Sequence, residues 1–190
     1  SPPLVPGRGP VPVSCWVSLV VPFVSPASAH GSASVLVVRV AGEDFVFREG
    51  GMIAERRWND WLALFTKDAE YWVPQQWGQE SPKDHVSLFY ETVQLLRMRT
   101  DRLERDLAPL EWPKTRTNHH LTNIIIDDDG DNDLTASAYL IFAEYRRDEL
   151  RWFSARSSWQ LQADGDSFRI ARKPVDLPNA DQKTGHLKFA

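Results

Sequence analysis

The residues of this chain best suited to chemistry are His119 and His120, adjacent in a segment of β-forming residues. Neighbours in a strand point to opposite faces, so only one of the pair is directed into the concavity of a curved sheet. An inward histidine beside Asp68 or Tyr71 would supply a general base in a small-molecule pocket. The plainer reading is a histidine satisfied at a buried or subunit-facing surface. A metal site would need a third ligand, such as His85, His30 or a carboxylate, and neither HxxxH nor HxH spacing occurs. The acidic run Asp127–Asp133, "DDDGDND", invites comparison with a calcium loop. Counted from Asp127, however, Asn132 stands where the loop needs glycine, and Ala138 where it needs a carboxylate. A solvated hairpin turn is the expectation there. Nucleophile elbow, P-loop and dinucleotide fingerprint are all missing from the sequence.

The elements that must position these residues begin with "RRWNDWLALFTKDAEYWVP" at 56–74. Trp58, Trp61, Leu62 and Phe65 recur at i, i+3, i+4 and i+7, one face of a helix. "YWVP" then starts a β-favouring segment closed by Pro74. A preceding helix is expected from Asp44, with Phe45, Met52 and Ile53 inward; Gly50-Gly51 costs it up to about 2 kcal/mol in propensity and invites a kink. Ser81-Pro82-Lys83-Asp84 has the form of a capping box opening a second helical pattern, Val86 to Leu103, although "VSLFY" at its start would also suit a strand. From residue 117 the period changes to two. Residues 117–126, 134–147, 151–163 and 167–176 read as four consecutive antiparallel strands joined by short turns. The expected fold class is α+β, with N-terminal helices packed against a cone-shaped, curved antiparallel sheet.

Composition bounds the function. The 190 residues suit one domain, and a net charge of −4 argues against a nucleic-acid binder. Cys15 is the single cysteine, which excludes an internal disulfide or a thiolate cluster of its own. No apolar run reaches the roughly 18 residues of a membrane span, and a cytoplasmic location is expected. Residues 1–42 hold seven of the 13 prolines and no acid, whereas 43–190 hold all 26 acidic and 20 of the 22 basic residues. We expect 1–42 to be a Pro/Val/Ser-rich low-complexity extension, disordered or foreign to the native domain, and 43–190 to be a single domain. An export signal or a β-rich arm are the other readings of the leader. Of the eight tryptophans, most are expected in the core, while Trp77, Trp112 and Trp152 lie in or beside loops, where a tryptophan often marks a binding surface. Arg97, Arg99, Arg102 and Arg105, with Asp101, Glu104 and Asp106, make a charged helix face suited to solvent or to polar subunit contacts.

Four segments carry a family resemblance: "FVFREGGMIAERRWNDWLALFTKDAEYWVP" at 45–74, "VSLFYETVQLLRMRTDRL" at 86–103, "TRTNHHLTNI" at 115–124 and "WQLQADGDSFRIARKPVDLPNA" at 159–180. In order and spacing the chain resembles the small (β) subunit of aromatic-ring-hydroxylating dioxygenases across 43–190. Gly50-Gly51 departs from the family's habit of good helix formers there. The resemblance implies a fold like that of nuclear transport factor 2 and scytalone dehydratase. It implies assembly with a catalytic large (α) subunit as an α3β3 hexamer with β–β contacts. That partner would hold the Rieske [2Fe-2S] cluster and the mononuclear iron, and would dihydroxylate an aromatic ring with O2 and electrons from NAD(P)H. A Rieske centre takes two cysteines and two histidines, which one cysteine cannot supply.

Two readings follow. In the first the chain is a structural subunit, with no catalytic, cofactor or metal residues of its own. In the second it is a stand-alone dehydratase or isomerase of the same cone fold, using His119 or His120 with Asp68 or Tyr71. The first expects a cone plugged by aromatic side chains and an apolar face too exposed for a monomer. The second expects these groups within hydrogen-bond reach of one another around a cavity.

Overall fold

The computed structural model describes residues 29–104, 113–128 and 133–181, with side chains from Leu36 onward. Among the described residues three helices precede or interrupt a six-stranded sheet: α1 (Ala29–Ala54), α2 (Trp58–Ala63), β1 (Phe65–Pro74), β2 (Ser87–Thr92), α3 (Val93–Glu104), β3 (Arg116–Asp128), β4 (Asp133–Arg146), β5 (Glu149–Asp164) and β6 (Ser167–Asp176). The strand order is β2-β1-β6-β5-β4-β3. The four C-terminal strands form the expected antiparallel meander, with boundaries within three residues of those read from the period-two pattern. The sheet is nevertheless mixed. β1 lies parallel to β6, because the chain enters the sheet through the helices rather than through a hairpin.

The helix expected from Asp44 begins at Ala29 and so crosses the composition boundary at 42. Val38 packs against the core and Gly42 is buried, its missing side chain allowing Ile126 of β3 to approach. Gly50 does the same two turns on, where an added Cβ would lie 3.3 Å from Leu121. With fully buried Val46 between them, the two glycines let α1 settle closely on β3. The helix therefore does not break at Gly50-Gly51. Its stop is a Schellman motif: Arg57 N–H donates to Met52 O and Arg56 N–H to Ile53 O, with Arg56 at φ 59°. The Arg56 guanidinium then donates to Leu103 O (2.6 Å) and Thr115 O (3.4 Å), tying the end of α3 to the start of β3.

The helix expected over Trp58–Phe65 ends at Ala63, and Phe65 opens β1. The four residues of the predicted apolar face are all buried, because a short turn keeps them on the core side. Trp61 meets Trp58, Phe65 and Tyr71 edge-on, with ring centroids 5.0–6.2 Å apart. Ser81–Asp84 forms a turn, not a helix start: Lys83 N–H donates to Ser81 Oγ and Asp84 N–H to Ser81 O. "SLFYET" is the strand β2, paired antiparallel with β1, and the helical pattern is α3 alone.

A bulge in β3 sets which residues face inward. Thr122 pairs with Tyr139 but Ile125 with Ser137, so one extra residue is accommodated, with Asn123 at φ 52°. Before the bulge the odd residues His119 and Leu121 face inward; after it the inward positions are Ile124 and Ile126.

Candidate functional site

Within the cone, rings from three strands stack in register. His119 of β3 pairs with Phe142 of β4, which pairs with Phe153 of β5. The His119 and Phe142 rings are stacked at 5.5 Å and those of Phe142 and Phe153 at 4.9 Å. His120, one residue on, is exposed on the opposite face beside Ile141. The adjacent histidines are thus divided between the two faces, as strand alternation requires.

The structure does not gather the four candidate residues. Three strands lie between β3 and β1 in the sheet, about 19 Å measured along it at the usual strand spacing. Asp68 is exposed, in the stretch of β1 where pairing with β6 is interrupted between Phe65 and Glu70. Tyr71 is wholly buried, in ring contact with Trp61 and Phe89.

What Tyr71 does neighbour is a buried ion pair that sequence reasoning missed. Lys173 Nζ of β6 donates to Glu49 Oε1 of α1 at 2.8 Å, and Trp61 Nε1 donates to the same oxygen at 2.7 Å. The two charged side chains are 2% and 1% exposed. Lys173 Nζ also lies over the Trp159 and Tyr71 rings, 5.4 and 5.8 Å from their centroids. Two consecutive helices and a strand far along the chain therefore meet at one carboxylate oxygen. No local signal marks Glu49, which reads as an ordinary helix acid; Lys173 within an otherwise apolar alternation was the available hint. A second interior acid, Glu144, accepts from Arg151 at 2.8 Å across the β4–β5 pair.

Among the described residues no group of three or more His, Cys, Asp or Glu is placed to hold a metal ion. Cys15, Trp112, Arg105, Asp106 and the middle of the "DDDGDND" turn lie outside the described residues, and nothing is described of the His30 side chain. His85 borders a surface depression of about 330 Å3 with Gln75, Gln76, Val86 and Asp181. Of the charged α3 face, Arg97, Arg102 and Glu104 are solvated, whereas Arg99 bonds Glu91 through Nε at 2.9 Å and covers the Phe89 ring. No described helix is long and apolar enough to cross a membrane.

The outer face of the sheet is different in character. Tyr139 and Ile141 on β4 and Leu150 and Trp152 on β5 are 43–61% exposed. Trp77 is exposed in its loop as expected, while Trp58, Trp61, Trp72 and Trp159 are core. Beside the β4–β5 turn a depression of about 430 Å3 is lined by Arg116, Thr117, Asn118, Ala143, Tyr145 and Leu150. The Arg116 guanidinium lies 4.8 Å from the Tyr145 ring centroid. The Tyr145 hydroxyl donates to Asp148 Oδ1 at 2.9 Å, which raises its pKa.

A curved sheet wrapped against an N-terminal helix is the fold of nuclear transport factor 2-like proteins. An NTF2-like protein with a cystatin-like fold from Novosphingobium aromaticivorans superposes with a TM-score of 0.60 over 82% of this chain and 91% of its own, at 13% identity. The chain belongs to the ring hydroxylating beta subunit family, whose profile matches residues 48–181. The 2-halobenzoate 1,2-dioxygenase small subunit of Burkholderia cepacia is 28% identical over 141 residues, covering 71% of this chain and 85% of that protein. The β subunit of the benzoate 1,2-dioxygenase of Burkholderia mallei shares the fold, with a TM-score of 0.65 at 24% identity over 78% of this chain and 94% of that one.

Proposed function

We propose that this chain is an assembly subunit of the terminal oxygenase of an aromatic-ring-hydroxylating dioxygenase, with no active site of its own. In this reading a large subunit holds the Rieske [2Fe-2S] cluster and the mononuclear iron and performs the dihydroxylation with O2 and NAD(P)H-derived electrons. The small subunit builds the complex, an α3β3 hexamer with β–β contacts, in the cytoplasm. Residues 43–190 are its working domain, extended at the N-terminal side by the part of α1 that precedes them.

The observation that carries the reading is the filling of the cone. Where a dehydratase of this shape would keep a cavity with convergent acid and base groups, Trp61, Tyr71, Phe142, Phe153 and Trp159 occupy the interior, and His119 is one ring of a stack. The buried charged groups are engaged as well, Glu49 and Lys173 with each other and Glu49 with Trp61, and Glu144 with Arg151. Apolar surface lies instead on the outside, where a partner would cover it.

The test is co-expression with a Rieske-type large subunit encoded beside this chain, followed by size-exclusion chromatography with light scattering. A red-brown complex near the mass of three copies of each subunit is expected. A colourless monomer or dimer that ignores the large subunit would overturn the reading and return attention to His119.

A further inference from the structure

The inward positions of β5 are Phe153, Ala155, Ser157, Trp159 and Leu161, all buried. Two of them carry polar atoms. Ser157 is 0% and Trp159 1% exposed, and neither Ser157 Oγ nor Trp159 Nε1 has a hydrogen-bond partner in the protein. Elsewhere in the protein Trp61 Nε1 donates to Glu49 and Trp72 Nε1 to Ser87 Oγ. A hydroxyl and an indole N–H taken out of water with nothing in return are costly, and here they are neighbours on one face of one strand.

The surroundings specify what meets them. Residues two apart on a strand face lie about 6.5–7 Å apart along it. A water with two ordinary hydrogen bonds spans about 5–6 Å between its partners, and the reach of the indole covers the difference. Room is provided by β4, where Ala136 stands opposite Trp159 and Ala138 opposite Ser157, both buried. Further along the same two strands that layer is filled by the paired rings of Phe142 and Phe153. On the other side Val175 faces Ser157, and the β5–β6 register shifts just beyond Trp159, between Gln160 and Leu161.

The side chains set against the indole therefore offer it no acceptor. Ala136 has none, and the Lys173 ammonium over the ring is itself a donor, engaged with Glu49. A cation would meet an N–H and an ammonium. An anion would be a second buried negative charge beside a lysine that Glu49 already neutralises. A neutral molecule that both accepts and donates suits the pair: it accepts from Trp159 Nε1 and donates to Ser157 Oγ.

We propose that one water molecule is a resident part of the cone interior, bound between Ser157 Oγ and Trp159 Nε1 in the room beside Ala136 and Ala138. It completes the β4–β5 layer where side chains do not, and it steadies the indole on which Lys173 rests. The site is independent of whether the chain works as an assembly subunit.

The test is a crystal structure of the full chain at a resolution that shows internal solvent, for the wild type and for Ser157→Val. The wild type is expected to show one density peak about 2.7–3.2 Å from both atoms. Ser157→Val removes the hydroxyl, occupies the room and suits a strand, so the peak is lost while the fold is kept. In solution, oxygen-17 magnetic relaxation dispersion should count one long-lived internal water fewer in the variant than in the wild type. A wild-type map with no peak, a peak bonded to only one of the two atoms, or either atom bonded to a protein acceptor would overturn the proposal. So would an equal count of long-lived waters in the two proteins. Should Ser157→Val fail to fold, the wild-type map decides by itself.

Discussion

Removing Lys173 alone should be far more damaging than removing Lys173 and Glu49 together. In Lys173→Met the Glu49 carboxylate keeps only the Trp61 indole N–H, within a core where its side chain is 1% exposed. An uncompensated charge of this kind typically costs about 3–5 kcal/mol, because desolvation is no longer offset by attraction to the partner. For a domain of this size that corresponds to a fall in melting temperature of about 6–20 °C. In Glu49→Gln/Lys173→Met both charges are gone and the glutamine carbonyl can still accept from Trp61 Nε1. The methionine also fills the lysine stem's place against Trp159 and Tyr71. The double variant should therefore lie within about 1–2 kcal/mol of wild type, on either side. The assay is urea unfolding followed by circular dichroism, closed as a double-mutant cycle with Glu49→Gln. A coupling energy below about 0.5 kcal/mol, with each single variant costing under 1 kcal/mol, would show that the pair is solvated and the reasoning wrong.

Glycine positions on α1 should respond in opposite senses. Gly51→Ala meets nothing within 4 Å and should stabilise the fold by about 0.5–1 kcal/mol, whereas Gly42→Ala must push Ile126, two of whose atoms stand 3.2 Å from the new Cβ, and should lose that gain or reverse it; chemical denaturation of the two variants compares them. Burial raises the Asp176 carboxyl against the opposing pull of Arg156, so its ionised form is disfavoured in the fold. That cost is absent when both states are protonated and grows as pH climbs from about 3.9, the ordinary aspartate value, through the raised folded value. Urea midpoints at acidic and neutral pH should therefore show Asp176→Asn gaining on wild type as pH rises, and a constant difference would refute the linkage. His119→Phe keeps a ring against Phe142 and should leave turnover by the assembled oxygenase unchanged; a loss of about 100-fold or more would mark a general base instead.

The part of this architecture legible in the chain is the part set by local periodicity. Alternation over 117–176 placed β3 to β6 within a few residues, because each strand buries one face and short turns allow only hairpins. The Trp58, Trp61, Leu62 and Phe65 spacing identified a core face even though the helix carrying it stops at Ala63. The same alternation required His119 and His120 to point apart.

Tertiary structure decided the rest. The parallel β1–β6 pairing joins segments about 100 residues apart, for which no local pattern speaks. Gly50 reads in sequence as a weakness of α1, and only the presence of Leu121 makes it a point of close approach. The start of α1 at Ala29 likewise goes against its leader composition. Glu49 and Lys173 are 124 positions apart and acquire meaning only when α1 is laid across β6. Periodicity fixes which face of an element is buried; which elements then share that face depends on packing among residues far apart in the chain.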